Sequence, residues 1–216
     1  MAKDLADYRK SYEKNELNES SVPDSPFVLF DQWFTEVENA GGVEETNAMT
    51  IATIGEDGFP KSRIVLLKHF DENGFVFYTN YRSEKGEALE KNKNTCISFF
   101  WPNLERQVII KGKAEKLTEK DSTRYFNSRP RGSQLGAWAS KQSKVIPSRD
   151  VLEERLTELE QKFREKEIPK PEFWGGIRII PISFEFWQGR PNRLHDRIRF
   201  TLMSSKNNWI TERLAP

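Results

Sequence analysis

Between Tyr125 and Ser143 the sequence reads YFNSRPRGSQLGAWASKQS. Tyr125, Arg129, Ser133, Gln142 and Ser143 fall inside this stretch, and it holds no acidic residue. Such a set suits an anion, most naturally a phosphate: the hydroxyls and the guanidinium donate hydrogen bonds, and a fork-shaped guanidinium grips two oxygens at once. The local pattern keeps these donors together. LTEKDSTRYFNS reads as a helix capped by Thr118, with acids in its first turn. Tyr125 and Arg129, four residues apart, share one face of it. Pro130 biases Arg129 away from helical backbone and closes the helix. Gly132 and Ser133 then open a second helix, SQLGAWAS, with Ser133 as its expected N-cap. A helix N-terminus offers unpaired amides to an anion.

Two further groups carry chemistry. In FWQGRPNRLHDRIRF, residues 188–192 form a turn signal between two apolar runs, and so predict a hairpin. Period-2 alternation after the turn sets Arg193, His195, Arg197 and Arg199 on one strand face. Crowded guanidiniums disfavour proton uptake by the histidine. A solvated, charge-protected sheet edge is the plain structural alternative. In SRIVLLKHFDENGFVFYTNYRSEKGEAL, residues 62–70 and 75–79 read as strands joined by the turn at 71–74. Strict alternation sets Arg63 and Lys68 on opposite faces, so on an ideal strand they serve two different anions. Ser83 is the expected N-cap of a short helix whose first turn holds Lys85. A cation there opposes the helix dipole, a cost that a bound phosphate would offset.

Positioning these residues requires a strand-rich chain with helices in its middle. Strands are expected at 48–55, 62–70, 75–79, 95–101, 106–117, 176–187, 193–203 and 209–212. The pattern between Leu117 and Phe173 is helical. There Leu152, Leu156, Leu159 and Phe163 form one apolar stripe on a helix capped by Ser148, packed on its own chain. The fold class is therefore mainly β with α, in an α+β or barrel architecture. No alternating βαβ pattern and no Gly-rich nucleotide fingerprint occurs, which argues against a doubly wound fold. With 34 Lys+Arg against 33 Asp+Glu, the net charge of +1 gives no nucleic-acid footprint. No apolar run approaches a membrane span, and the N-terminus lacks a signal-peptide core. The single cysteine, Cys96, excludes an intrachain disulfide and fits a reducing, cytoplasmic setting. Two distant histidines and one cysteine make no metal-ligand set.

The ordered segments resemble the pyridoxamine 5′-phosphate oxidase family. They are RIVLLKHFD from Arg63, VFYTN from Val76, LERQVIIKGKAEKL from Leu104, the stretch from Tyr125, FWGGIRI from Phe173, EFWQG from Glu185, RLHDR from Arg193 and the ending RLAP. The resemblance implies a split β-barrel that binds FMN at a homodimer interface. Residues 1–25 would form a mobile N-terminal segment and 26–216 one domain. It implies FMN contacts from Arg63, Ile64, Val65, Leu66, Leu67 and Lys68, from Tyr78, Thr79 and Lys85, and from Gln107, Gln142, Ser143, Trp187 and Arg197. It implies substrate contacts from Lys68, Tyr125, Arg129 and Ser133 at the substrate phosphate, and from Arg193, Leu194 and His195 by the pyridine ring. Arg9, Lys10, Ser11 and Tyr12 match a segment that folds over the site. Arg193 and His195 carry the catalytic label in the sense of placement at the reacting carbon.

The implied reaction oxidises pyridoxamine or pyridoxine 5′-phosphate to pyridoxal 5′-phosphate, with dioxygen reduced to hydrogen peroxide. A split-barrel flavin reductase of other specificity, or a flavin or pyridoxal-phosphate carrier without catalysis, are the alternatives. One departure stands out. The family often has two adjacent cations after Ser83, and this chain reads Glu84-Lys85. Either Glu84 points away and Arg82 compensates, which the otherwise intact set favours, or FMN is held less tightly.

Overall fold

One helix precedes six strands that a short helix interrupts, three helices fill the middle, and a long strand returns. The computed structural model describes residues 1, 3–204 and 208–216. In chain order the elements are α1 (Pro26–Ala40), β1 (Ala48–Ile54), β2 (Pro60–Leu66), β3 (His69–Asp71), β4 (Gly74–Asn80), α2 (Glu84–Lys91), β5 (Asn94–Trp101), β6 (Arg106–Lys116), α3 (Glu119–Ser128), α4 (Arg131–Ala139), α5 (Asp150–Lys162), β7 (Trp174–Gln188), β8 (Asp196–Ser204) and β9 (Asn208–Arg213). The sheet runs β2-β1-β5-β6-β7-β4-β3, with β8 on β7 and β9 on β8. Along β4 and β7, Tyr78 lies opposite Gly176 and Asn80 opposite Trp174. Along β7 and β8, Trp187 lies opposite Arg197.

The chain divides into two compact units. One comprises Met1–Thr50, Ile97–Lys111 and Pro181–Pro216, the other Ile51–Cys96 and Gly112–Ile180. The first is built on α1. Ser25 precedes Pro26 at the first helical turn, where the missing N–H costs nothing. Leu29, Phe30, Trp33 and Val37 then fall on one buried face. Phe30 meets Phe99 edge-on at 5.1 Å and Trp33 meets Phe186 at 5.2 Å. Each such side chain contributes about 1.5–3 kcal/mol by leaving water. In the second unit Phe126, Leu135, Phe163, Ile168 and Trp174 form a core, flanked by Leu156 and Leu159. The apolar stripe of α5 thus packs on its own chain, as its spacing predicts.

Several local expectations need correction. The strand read at 62–70 is two strands, broken at Leu67 and Lys68. Leu67 turns into the core, and the Lys68 N–H donates to the Val76 carbonyl at 2.8 Å. The strand read from Arg193 begins only at Asp196. Pro191 opens a 3-10 turn in which Asn192 and Arg193 both take left-handed φ, 57° and 62°, so the expected alternation of Arg193 and His195 with Arg197 is lost. Ser133 is not the cap of α4. The helix starts two residues earlier, at Arg131, behind Pro130. Ser148 likewise does not cap α5, where Arg149 takes that position. Thr118 and Ser83 cap α3 and α2 as read, accepting from the Asp121 and Gly86 N–H groups. The sequence reading left α1 unassigned.

Candidate active site

A cavity of about 610 Å³ opens in the second unit, between the β2–β3 segment, β4, α2 and the α3–α4 corner. Its wall carries Lys68, Lys85 and Arg129, and among the described residues no carboxylate lines it. Three cations without an acid make a site for an anion, or for two.

Lys85 gets there because α2 begins tightly against the end of β4. Ser83 caps the helix, and the next turn presses so close to Tyr81 that a Cβ on Gly86 would lie 2.3 Å from the Tyr81 carbonyl oxygen. Only glycine fits that approach. Lys85 is 9% exposed. Its ammonium donates to the Gln142 amide oxygen at 3.3 Å and the Thr79 hydroxyl at 3.4 Å, both long bonds to neutral groups. Burial, and then the Arg63 charge, lower its pKa, against a weaker pull from Glu84. Glu84 itself faces away and takes both its bonds from Lys61, at 2.6 and 2.8 Å. That part of the expectation holds. Arg82 lies over the Phe173 ring at 5.2 Å and is absent from the cavity wall, so it does not compensate there.

Arg129 ends α3 with extended backbone, φ −75° and ψ 149°, the conformation that a following proline imposes. Its guanidinium lies 4.6 Å from the Trp174 ring, and its buried Nη1 has no hydrogen-bond partner among the described residues. Beside it Tyr78 and Tyr125 stack at 3.7 Å, both nearly parallel to Trp174. Burial lowers the Arg129 pKa and raises those of Tyr78 and Tyr125, so at neutral pH the rings stay protonated donors beside a fixed cation.

In the first unit a second cluster forms. His195 packs against Trp187 with ring centres 4.7 Å apart, and Tyr12 meets both rings edge-on at 5.7 Å. The Arg190 backbone N–H donates to His195 Nδ1 at 3.1 Å. Burial and the Arg193 charge lower the histidine pKa against a smaller effect of Asp196. The N-terminal segment is tied here by Glu105, 2% exposed, which accepts from the Glu13 and Lys14 N–H groups and pairs with Lys10 at 3.1 Å.

The cavity brings together Ile64, Val65, Leu66, Lys68, Tyr78, Thr79 and Lys85 with Tyr125, Arg129, Ser133 and Gln142 from the sequence reading. Arg63, Leu67 and Ser143 belong to the same unit but not to its wall. Arg63 donates to the Thr53 hydroxyl at 2.6 Å, Leu67 is buried, and Ser143 sits in a turn with φ 69°. Gln107, Trp187, Arg193, Leu194, His195, Arg197 and Arg9 to Tyr12 belong to the first unit. Within it Arg197 pairs with Glu185 at 2.8 Å, Arg9 Nε donates to the Ala6 carbonyl, and the Ser11 hydroxyl donates to Glu13. The sequence reading missed Trp174, the platform under Arg129, and Glu105, the tie of the N-terminal segment. The FWGG and LERQ segments that contain them carry the family resemblance, but neither residue has a role assigned there.

A family model described as pyridoxamine 5′-phosphate oxidase matches residues 35–163. A second, described as the pyridoxine 5′-phosphate oxidase C-terminal dimerisation region, matches residues 174–216. The crystal structure of PhzG from Burkholderia lata, in complex with tetrahydrophenazine-1-carboxylic acid, superposes with a TM-score of 0.86 at 28% identity, covering 95% of this chain and 100% of that one. A pyridoxamine 5′-phosphate oxidase-related, FMN-binding protein from Nostoc punctiforme shares the fold at a TM-score of 0.69 and 15% identity, over 91% and 99% of the two chains. The fold is therefore a split β-barrel flanked by helices. Pyridoxine/pyridoxamine 5′-phosphate oxidases from Christiangramia forsetii and Nostoc are 61% and 50% identical to this chain over 216 residues, each over the full length of both chains. This chain belongs to the pyridoxamine 5′-phosphate oxidase family.

Proposed function

We propose that the protein is an FMN-dependent oxidase that converts pyridoxine 5′-phosphate and pyridoxamine 5′-phosphate to pyridoxal 5′-phosphate. The observation that carries this is an acid-free cavity that holds the buried Lys85 and the half-buried Arg129, each with bonding capacity unspent. A phosphate-bearing flavin fits Lys85, which is buried against a hydroxyl and an amide oxygen alone. A phosphate-bearing substrate fits Arg129, whose Nη1 has no partner. Two phosphate donors on separate elements favour this reading over a flavin reductase, which needs one.

Bound FMN would supply a two-electron acceptor for the hydride of the substrate's 4′ carbon, with dioxygen as the final electron acceptor. The alcohol and dioxygen give aldehyde and hydrogen peroxide. The amine requires a water as well and releases ammonia. The chain's own residues bind and orient. Arg129, Tyr125, Ser133 and Lys68 hold the substrate phosphate, and Lys85 and Gln142 hold the flavin. His195 presents a donor rather than a base: a backbone N–H can only donate, so with Nδ1 accepting from Arg190 the neutral ring carries its proton on Nε2. Arg193 clamps the substrate through its planar set of donors.

The reading extends to a homodimer that shares its sites. Ile64, on the cavity wall, is 64% exposed in the single chain, and Phe59 is 71% exposed. Apolar side chains at a ligand wall invite cover by a partner. Among the described residues no helix is long and apolar enough to cross a membrane. The test is turnover of pyridoxine 5′-phosphate under air, followed by peroxide release, with the flavin identified by chromatography after denaturation. FAD as the stoichiometric flavin, or flavin without peroxide production, overturns the proposal.

A further inference from the structure

Gln134 lies near the start of α4, and no role above uses it. Its side-chain nitrogen stands 3.2 Å from the Phe126 carbonyl oxygen, 3.2 Å from that of Asn127 and 3.0 Å from that of Arg129. Three acceptors around one atom identify it as the amide nitrogen, since the amide oxygen would face only lone pairs. Its two hydrogens serve three carbonyls by sharing.

The need arises from Pro130. A continuing helix would send the N–H of residue 130 to the Phe126 carbonyl, and proline has none. The Arg129 N–H reaches the Phe126 carbonyl at 3.2 Å, but among the described residues no backbone N–H outside the helix reaches the carbonyls of Asn127 and Arg129. Gln134 reaches back from the next helix and supplies them. Its own backbone N–H meanwhile donates to the Pro130 carbonyl at 3.1 Å. One residue thus holds the chain on both sides of the Arg129–Pro130 bond, the link that separates Arg129 from Ser133. A guanidinium without a carboxylate partner takes its aim from its backbone and from the rings it rests on.

We infer that Gln134 is a positioning residue of the substrate-phosphate site, which sets the backbone of Arg129 and its spacing from Ser133. This rests on the reading of Arg129 as a phosphate ligand. The test is steady-state kinetics of the flavin-loaded enzyme with pyridoxine 5′-phosphate. Gln134→Ala and Gln134→Met are each measured alone and together with Arg129→Ala. Alanine favours the helix and methionine fills the space, so either variant can stand for the lost donor if the other does not fold. Each should raise KM roughly tenfold with little change in kcat or flavin content. In the Arg129→Ala background the same change should add less than about twofold, because residues acting through one another are not additive. An equal rise in both backgrounds, or a lowered Tm with KM unchanged, overturns the role of Gln134. If Arg129→Ala itself leaves KM unchanged, the phosphate reading falls first and the inference with it.

Discussion

Around the cavity of the second unit, cations face hydroxyls, amides and aromatic rings; in the first unit they face carboxylates. Arg106 pairs with Glu36, Arg190 with Glu16 and Asp196, Arg197 with Glu185, Arg199 with Glu212, and Arg213 with Glu19 and Asp196. A paired cation is spent on architecture. A buried cation without a carboxylate carries an uncompensated desolvation cost, which a bound anion relieves. The two arrangements therefore answer differently to mutation: loss of a cavity cation should change ligand binding, and loss of a paired one should change stability or local order.

The sharpest test is Arg129→Ala. It removes a charge-assisted contact to the substrate phosphate, worth about 1.5–3 kcal/mol, and so should raise KM by roughly one to two decades when binding is at equilibrium. The visible flavin spectrum should hardly change. Lys85→Met should do the converse. Flavin titration should show weaker binding, while the flavin-free protein melts no lower than the parent, because methionine fills the space without the burial cost that lowers the lysine pKa. An Arg129 variant that loses its flavin but keeps its substrate affinity would exchange the two assignments.

Glu105 comes next. Its side chain ties Lys10, Glu13 and Lys14, and Glu105→Ala leaves two backbone N–H groups and an ammonium without their acceptor. Faster trypsin cleavage after Lys10 and Lys14 is expected, with the melting temperature less affected. Burial alone would raise the Glu105 pKa, yet the bonds from Lys14, Lys10 and Glu13 outweigh it and the net shift is down. A carboxyl with a lowered folded pKa stabilises above its unfolded pKa, and that stability is lost as pH falls through the folded value. The tie should thus hold at neutral pH and loosen under acid, below the ordinary value of 4.5. His195 provides a smaller effect with a related sign. Its lowered pKa keeps the ring neutral below 6.5, while the unfolded chain takes up its proton there, so this contribution to stability declines as pH falls from 6.5 towards the folded pKa. Proton NMR titration should place its midpoint below 6.5, and nitrogen shifts should show the Nε2–H tautomer.

How far the sequence disclosed these contrasts depended on range. The α3 segment was legible because its signals are local: Thr118 as cap, Tyr125 and Arg129 one turn apart, Pro130 as the stop. Strand period set Arg63 and Lys68 on opposite faces, but β2 ends at Leu66, so that period does not extend to Lys68. Errors arose where a neighbour in space decides. Ser133 resembles an N-cap, yet Pro130 takes the cap position with an extended ψ of 142° and α4 starts two residues sooner than Ser133. Alternation carried back to Arg193 failed because the left-handed pair Asn192 and Arg193 prolongs the turn. Trp174 and Gln134 act through contacts 45 and five residues away, at Arg129 in both cases, and neither has a signature of its own. The unassigned α1 did have one, in Ser25-Pro26 and the spacing of Leu29, Phe30, Trp33 and Val37.

The smallest effect is expected at Arg199, and it tests the other half of the comparison. Arg199 lies directly opposite Glu212 across β8 and β9. Its Nη2 and Nε reach the same carboxylate oxygen at 2.8 and 3.2 Å, so the contact is not a two-oxygen fork. Both side chains are well exposed, at 43% and 47%. Water screens such a pair and two long side chains lose freedom in making it, which leaves about 0.2–1 kcal/mol. For a chain of this size that is a melting shift of at most about 4 °C, and it should shrink in high salt. Arg199→Ala should therefore keep KM, kcat and flavin content at parental values. Sequence alternation grouped Arg199 with His195 and Arg197, whereas its pairing sets it among the architectural cations. A rise in KM or a loss of flavin in Arg199→Ala would return it to the site and erase the distinction between paired and unpaired cations.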